Sequence, residues 1–557
     1  MIRMKKIIIY QILPRLFGNR TSTPLPNGTI IENGCGKFND FDIKALRRIK
    51  SLGCTHVWFT GVIRHATKTD YTAYGIPKQT EQVVKGNAGS PYAIADYYDV
   101  DPDLAVDVDG RMDEWEALVS RVHKCGLSVV LDFVPNHVAR EYKSVCRPKG
   151  VADLGENDDK NLHFSTLNNF YYCWGQPFDT GSLPHDCGKE YVESPARATG
   201  NDCFSNRPGM NDWYETVKLN YGIDYCDAGG RSEHFSPVPD TWKKMTDILL
   251  FWASKGIDAF RCDMAEMVPS AFWSWATARV REKYPEVKFI GEVYNPSLYR
   301  EYISSGFDYL YDKVGMYDCI RDVICGNRKP KDITVHWQST DDIKTHMLYF
   351  LENHDEQRVA SRFFAGNGLK GLPGLVVSAF MNSSPFMLYA GQEYGEEAKE
   401  AEGFSGLDGR TTIFDYWSVE SLRKGYYDRK KLSVGQKELE NAYSVVLNLA
   451  NNEAAIREGD FYDLMYVNGS VGDDVFAFLR KKDKELILVV ANFSDRMDMF
   501  NIVIPSHAFD WLGIPEGEYN AEELISKGYA RLTLRKDYSV EVVLDAHEAC
   551  AYKIVVK

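Results

Sequence analysis

Two periods of hydrophobicity organise this chain. Apolar runs of strand length alternate with stretches of helical spacing through about residue 400, the pattern of repeated strand–helix units on a parallel sheet. Met112–Cys125 (MDEWEALVSRVHKC) shows the helical period clearly. Trp115, Leu118, Val119 and Val122 fall three or four apart, and Gly126 follows as a stop.

The strand-length runs share a second property: each leads directly into polar groups. Val129-Val130-Leu131 runs into Asp132, Asn136 and His137. Ile257–Phe260 runs into Arg261 and Asp263, and Phe289-Ile290 into Glu292. Met347–Leu351 runs into Asn353, His354 and Asp355, and Phe386–Tyr389 into Gln392 and Glu393. In a (β/α)8 barrel the carboxyl ends of the strands converge on one face, where several strands supply a single site. Surface charge does not explain five such cases in order, because the residues before each polar group are built for burial. The pattern predicts an α/β fold, a (β/α)8 TIM barrel over residues 1–137 and 236–455.

The rhythm breaks twice. Residues 138–235 are rich in Gly, Asn, Asp and aromatics with few long apolar runs, which predicts a loop-built domain inserted in the barrel. A helical stretch near 434–452 closes the barrel, and the pattern then becomes one of short strands. Val475–Leu479, Leu486–Val490, Ala530–Leu534 and Val540–Leu544 predict a C-terminal antiparallel β-sandwich over 456–557.

Composition narrows the function classes. The 557 residues carry 65 Lys and Arg against 79 Asp and Glu, a net charge of −14. Such a surface repels phosphate backbones, and no Lys/Arg-rich run offers a local basic patch, so a nucleic-acid partner is not expected. No run reaches the roughly 18 apolar residues of a membrane span, so no membrane partner is expected either. Lys5 and Lys6 before Ile7–Tyr10 look like the start of a secretion signal, but Gln11, Pro14 and Arg15 interrupt it and no small-residue cleavage site follows. A buried first strand and a cytoplasmic protein are the expectation. The 12 cysteines are scattered without a CxxC pair, and Cys54, Cys125 and Cys262 sit in apolar segments as buried thiols do. Five fall between 146 and 226, where a disulfide has room to form. Aromatics at 13% fit a large core, and they equally fit stacking against sugar rings.

Asp263, Glu292 and Asp355 end three successive predicted strands. Glycoside cleavage needs one protonated carboxyl to donate to the leaving oxygen and one ionised carboxylate to attack. Arg261, two residues before Asp263, points to the same side of its strand and would hold that carboxylate ionised. Glu292 has no cation beside it in sequence and is the candidate for the protonated acid. An ion-pair network closing the barrel mouth would use the same residues. His137 and His354 either bond sugar hydroxyls or are satisfied barrel histidines. Asp99-Val100-Asp101-Pro102-Asp103 resembles the start of a calcium loop but has Leu104 where the turn needs Gly, and it reads as an ordinary loop. No HExxH, Walker-A or GxSxG motif is present.

These segments resemble the α-amylase family, glycoside hydrolase family 13, over nearly the whole chain. Asp132–His137 (DFVPNH), Gly256–Asp263 (GIDAFRCD), Phe289–Val293 (FIGEV) and Phe350–Asp355 (FLENHD) are similar to its four conserved regions, in order. Tyr10–Phe17, Val57–Val62 and Ala390–Glu393 agree with its first, second and eighth barrel strands. The resemblance implies hydrolysis of α-glucosidic bonds in α-glucans or malto-oligosaccharides, with retained configuration through a covalent glycosyl-enzyme. It implies Asp263 as nucleophile, Glu292 as acid/base and Asp355 as the carboxylate that binds ring hydroxyls. Arg261, His137 and His354 would line the subsite of the attacked sugar. Tyr92, in Ser90-Pro91-Tyr92, resembles a stacking tyrosine, and Asp408 with Arg410 resemble a clamp on the non-reducing side.

Two departures stand out. Glu266 and Met267 occupy positions where many relatives carry Lys-His, and Met264 fits neither common pattern after the nucleophile. Leaving-group recognition is therefore expected to differ. The chemistry requires no cofactor. A structural calcium is left open, with Asn136 and Asp202 as candidate donors. Two alternatives share this sequence pattern: a transglycosylase or sucrose-acting relative, and a non-catalytic carbohydrate-binding protein, against which the retention of all three carboxylates argues.

Overall fold

A computed structural model describes residues 5–185 and 188–557. Eight parallel strands close into a barrel: β1 Ile8–Ile12, β2 His56–Phe59, β3 Ser128–Phe133, β4 Ala259–Cys262, β5 Lys288–Gly291, β6 Tyr309–Tyr311, β7 Met347–Phe350 and β8 Phe386–Tyr389. Each pairs with its sequence neighbours, and β1 joins β8 with Ile8 beside Phe386. The first apolar run is thus a barrel strand. The helix expected at 112–125 spans Arg111–Lys124, with Trp115, Leu118 and Val122 buried on the barrel.

One expectation is corrected here. The strands ending in Asp263, Glu292 and Asp355 are not three in succession, because β6 lies between the second and third. Its three residues, Tyr309-Leu310-Tyr311, are too few to show a period of two.

Strand alternation sets the site. Ile9, Trp58, Val130, Ala259, Ile290, Leu348 and Met387 pack together as the barrel's inner layer. The residue two further along each strand faces the same way, one level nearer the carboxyl end. From Ile9, Trp58, Val130, Ala259 and Ile290 that step reaches Gln11, Thr60, Asp132, Arg261 and Glu292. From Leu348 and Met387 it reaches Phe350 and Tyr389, so the floor of the mouth is polar on the side of β1 to β5.

Among the described residues of the inserted segment 138–235, regular structure is confined to short ladders. One of them, His137–Ala139 paired antiparallel with Thr216–Lys218, hangs directly from the end of β3. Beyond the helix Val434–Asn452 come eight antiparallel strands. They are β9 Asp460–Asp463, β10 Val475–Lys482, β11 Glu485–Asn492, β12 Asp498–Ile504, β13 Gly517–Glu523, β14 Gly528–Leu534, β15 Tyr538–Leu544 and β16 Ala549–Val555. Six form a sheet ordered β9-β10-β11-β16-β13-β14, and β12 pairs with β15.

Candidate active site

The backbone ladder continues past the strand ends and carries the acidic residues with it. Asp263 donates its amide to Phe133 O at 2.9 Å, and Glu292 donates to Cys262 O at 3.1 Å. Both side chains therefore stand on backbone still in register with its neighbours. Asp355 is placed differently, by the Asn353 side chain, whose Oδ1 accepts the amides of Asp355 at 2.8 Å and Glu356 at 3.0 Å.

Arg261 is the centre of the site and is 1% exposed. Its Nη1 donates to Asp263 Oδ1 at 2.9 Å and to Asp132 Oδ1 at 3.3 Å, and its Nη2 lies 2.7 Å from Glu292 Oε2. The guanidinium also lies over the rings of Trp58, Tyr92 and Tyr311 at 5.1, 5.5 and 5.6 Å. One cation thus serves three carboxyls inside an aromatic cage, where low polarisability of the surroundings strengthens each contact. Glu292 has no cation beside it in sequence, and in the fold its cation comes from the neighbouring strand.

The electrostatics follow from this crowding. Burial, opposed by Arg261 and reinforced by Glu292, Asp132 and Asp355, raises the Asp263 carboxyl well above the usual range. Arg261 works against that rise and favours the ionised form of Asp263. Asp132 is pushed up to about 6, by burial first, with Arg261 opposing. Asp355 behaves oppositely. Burial would raise it, but His354, Arg261 and Arg410 outweigh that and hold it down at about 2. Its side chain is also the open one, 38% exposed. A cluster that shares fewer cations than carboxyls retains a proton, and acid-assisted glycoside cleavage requires one such proton together with an ionised nucleophile.

The other expected residues gather around this cluster. His354 Nε2 lies 3.0 Å from Asp355 Oδ2 and 2.5 Å from the Tyr92 hydroxyl, and its Nδ1 meets Gln11 Nε2 at 2.6 Å. Tyr92 stacks on His354, ring centroids 5.2 Å apart and 25° from parallel. His137 stands beside Trp213, with ring centroids 5.2 Å apart. Burial first, then the Lys218 ammonium, hold it down at about 3, so it is a neutral imidazole. Arg410 and Asp408 pair on the rim at 2.5 Å, with Gln357 Nε2 bonded to Asp408 O at 3.1 Å. Asp132, Tyr294 and Tyr311 belong to the site as well, although the sequence reading assigned them no role. Asp132 and Arg261 do share the inward parity of their strands, a signal that was open to use.

The candidate calcium donors hold another cation. Lys218 Nζ lies 2.8 Å from Asn136 Oδ1 and 2.5 Å from Asp202 Oδ1, with its side chain 3% exposed. Calcium needs six to eight oxygen ligands. Here an ammonium occupies the point between the two donors, so the residues present do not fit the metal. Asp96, Asp99 and Cys146 also approach one another, but Arg64 and Arg111 already hold the acids, with Arg111 Nε 2.7 Å from Asp99 Oδ1. The loop at 99–103 is likewise no metal site. Asp101 pairs with His65 at 2.9 Å, and Asp103 accepts the Tyr71 and Tyr416 hydroxyls at 2.7 Å each.

The α-amylase catalytic-domain profile matches residues 11–444. The chain belongs to the α-amylase family. Trehalose-6-phosphate hydrolase of Bacillus subtilis is 25% identical over 264 residues, 47% of this chain and 36% of that enzyme. The chain thus spans little more than a third of that relative's length. A cyclomaltodextrinase of a Bacillus species is 24% identical over 505 residues, covering 88% of this chain and 73% of that one. A maltogenic α-amylase from Thermotoga neapolitana superposes with a TM-score of 0.63 at 19% identity over 99% of both chains. The closed barrel and the C-terminal β-domain are those of the α-amylase fold. Eleven described cysteines of this family member are unpaired; Cys187 lies outside the described residues. Among the described residues no helix is long and apolar enough to cross a membrane.

Proposed function

We propose that this α-amylase family member is a retaining glycoside hydrolase that cleaves α-glucosidic bonds in α-glucans or malto-oligosaccharides. One observation carries the reading: a single buried guanidinium joins carboxyls from adjacent strands at the barrel mouth, with a third, ionised carboxylate beside them. Asp263 is the nucleophile, attacking the anomeric carbon to form a glycosyl-enzyme. Glu292 protonates the departing oxygen and then, as carboxylate, takes a proton from the incoming water. Asp355, fixed by Asn353 and His354, accepts ring hydroxyls and stabilises the positive charge that builds on the sugar. As substrate approaches Asp263 its own hydroxyls replace solvent, and Arg261 stabilises the carboxylate that attacks.

Tyr92 offers a ring face to the attacked sugar, while His354 and neutral His137 bond its hydroxyls. Asp408 and Arg410 clamp the non-reducing side from the rim. The partner is an oligosaccharide or polysaccharide; a structural relative from Geobacillus thermoleovorans was solved complexed with acarbose. No calcium is needed between Asn136 and Asp202, because Lys218 supplies the charge there. The unpaired thiols support a cytoplasmic setting.

The test is proton NMR of a maltoheptaose digest from its first minutes. Early α-anomer signals at new reducing ends are expected, and the Asp263→Asn variant should lose at least about a thousandfold in rate while still binding sugar. Products longer than the input, with no net gain of reducing ends, would instead make the protein a transglycosylase. Turnover by Asp263→Asn near the parent rate would remove Asp263 from its role.

A further inference from the structure

Glu292 meets three donors, and they divide between its oxygens. Oε2 accepts the Met264 amide at 2.8 Å and lies 2.7 Å from Arg261 Nη2. Oε1 accepts the Tyr294 hydroxyl at 2.6 Å. The Oε2 partners are fixed. One is a buried guanidinium, and the other is an amide held by the left-handed backbone of Met264, φ 41° and ψ 45°. A non-glycine residue keeps that conformation only where its surroundings enforce it. The phenol is different, since its hydroxyl rotates and can donate or accept. Oε1 is therefore the oxygen free to change partners.

Tyr294 is itself held from the neighbouring strand. Glu266 Oε2 accepts the amides of Tyr294 at 3.2 Å and Asn295 at 3.0 Å, tying the loop after β5 to the turn Ala265–Met267 after β4. Glu266 stands where the sequence departs from many relatives, and this clamp is what it does.

We propose that Tyr294 is a positioning residue for the acid/base, aiming Oε1 of Glu292 at the glycosidic oxygen and holding the carboxylate left after proton transfer, with Glu266 keeping Tyr294 in place. This rests on the reading of Glu292 given above. The proton passes from Oε1 to the leaving oxygen as its bond to the anomeric carbon breaks and Asp263 bonds that carbon. Tyr294 donates to the lone pair of Oε1 that carries no proton, which leaves the proton facing the glycosidic oxygen, and it donates to the carboxylate after the step. In the second half, water attacks the anomeric carbon, Asp263 leaves, and the water's proton returns to Oε1.

The groups facing Glu292 are Arg261 and Asp263 from β4, Asp132 from β3, Tyr311 from β6, Asp355 beyond β7 and Tyr294 from its own loop. Tyr294→Phe leaves all but the last in place and keeps the ring. A donor to a carboxylate stabilises the charge left when the proton departs, and Tyr294→Phe removes that support from the step.

The experiment compares Tyr294→Phe with the parent on maltoheptaose and on an aryl α-maltoside whose phenol leaves easily. The kcat on maltoheptaose should fall about 10–100-fold with KM nearly unchanged, and the activated substrate should lose far less. Glu266→Ala should reproduce part of that difference between the substrates, and Glu266→Gln, which keeps an acceptor oxygen, should restore the parent rates. Equal losses on both substrates overturn the inference. Glu292→Gln separates the two levels. If it turns over maltoheptaose like the parent, the acid/base reading falls and this inference with it. If it is inactive while Tyr294→Phe keeps the parent rates, only Tyr294 is wrongly assigned.

Discussion

At the residue scale the site is a competition among acids for one buried cation. Asp132 has the weakest hold on Arg261, at 3.3 Å against 2.9 Å for Asp263 and 2.7 Å for Glu292, and burial pushes it up to about 6. An unfolded aspartate releases its proton near pH 3.9. Between those values the unfolded chain has lost a proton that the folded chain keeps, so stability falls as pH rises through the window. Asp132 therefore destabilises the fold at neutral pH by on the order of 2 kcal/mol, and not at pH 4. Asp132→Asn should raise the thermal midpoint by about 2 °C at pH 7, leave it unchanged at pH 4, and lower activity. Equal shifts at both pH values would show that Asp132 acts through packing and not through charge. The same residue marks the limit of sequence reading. Spacing along one strand showed Arg261 beside Asp263, but the reach to Asp132 and Glu292 runs across strands. That adjacency is set by barrel register, which no single strand contains.

At the element scale, strands of four to six residues were legible and β6 with three was not. The ladder that hangs the insert on β3 was also unreadable, because His137–Ala139 and Thr216–Lys218 are three residues each and lie far apart in sequence. Its register sets His137 opposite Lys218, and the lysine reaches back to Asn136 and Asp202. One ammonium thus fastens the insert to the barrel beside the sugar site. The parent protein should show the same thermal midpoint in EDTA and in millimolar calcium. Lys218→Met should lose about 3–5 kcal/mol, since it leaves Asp202 buried in part without its cation. A parent midpoint that drops in EDTA would mean a divalent cation is needed after all.

At the scale of the whole molecule, the barrel and the C-terminal β-domain share one core. The helix Leu372–Phe380 (LPGLVVSAF) is apolar all round because it has no solvent face. It packs on β7 from the barrel side and on β11 and β16 from the other. Its carboxyl end is closed by cations from both partners. Lys6, ahead of β1, bonds Ala379 O at 2.5 Å and Asn382 O at 2.6 Å. Arg480 of β10 bonds Met381 O at 2.6 Å, Ala455 O at 3.0 Å and Ile456 O at 2.8 Å. Lysine or arginine at a helix carboxyl end satisfies carbonyls that the helix itself leaves open. Arg480→Met keeps the volume but strands those carbonyls in a buried seam, at about 1–3 kcal/mol for each group left unsatisfied. The loss falls on the seam and not on either core. Calorimetry of the parent should therefore show one cooperative transition, while Arg480→Met should resolve into two, the β-domain melting first. Activity below that first transition should stay at the parent level, because Arg261 and its carboxyls sit at the opposite, carboxyl end of the strands. A single transition in the variant at the parent temperature would mean that the apolar helix alone couples the two domains.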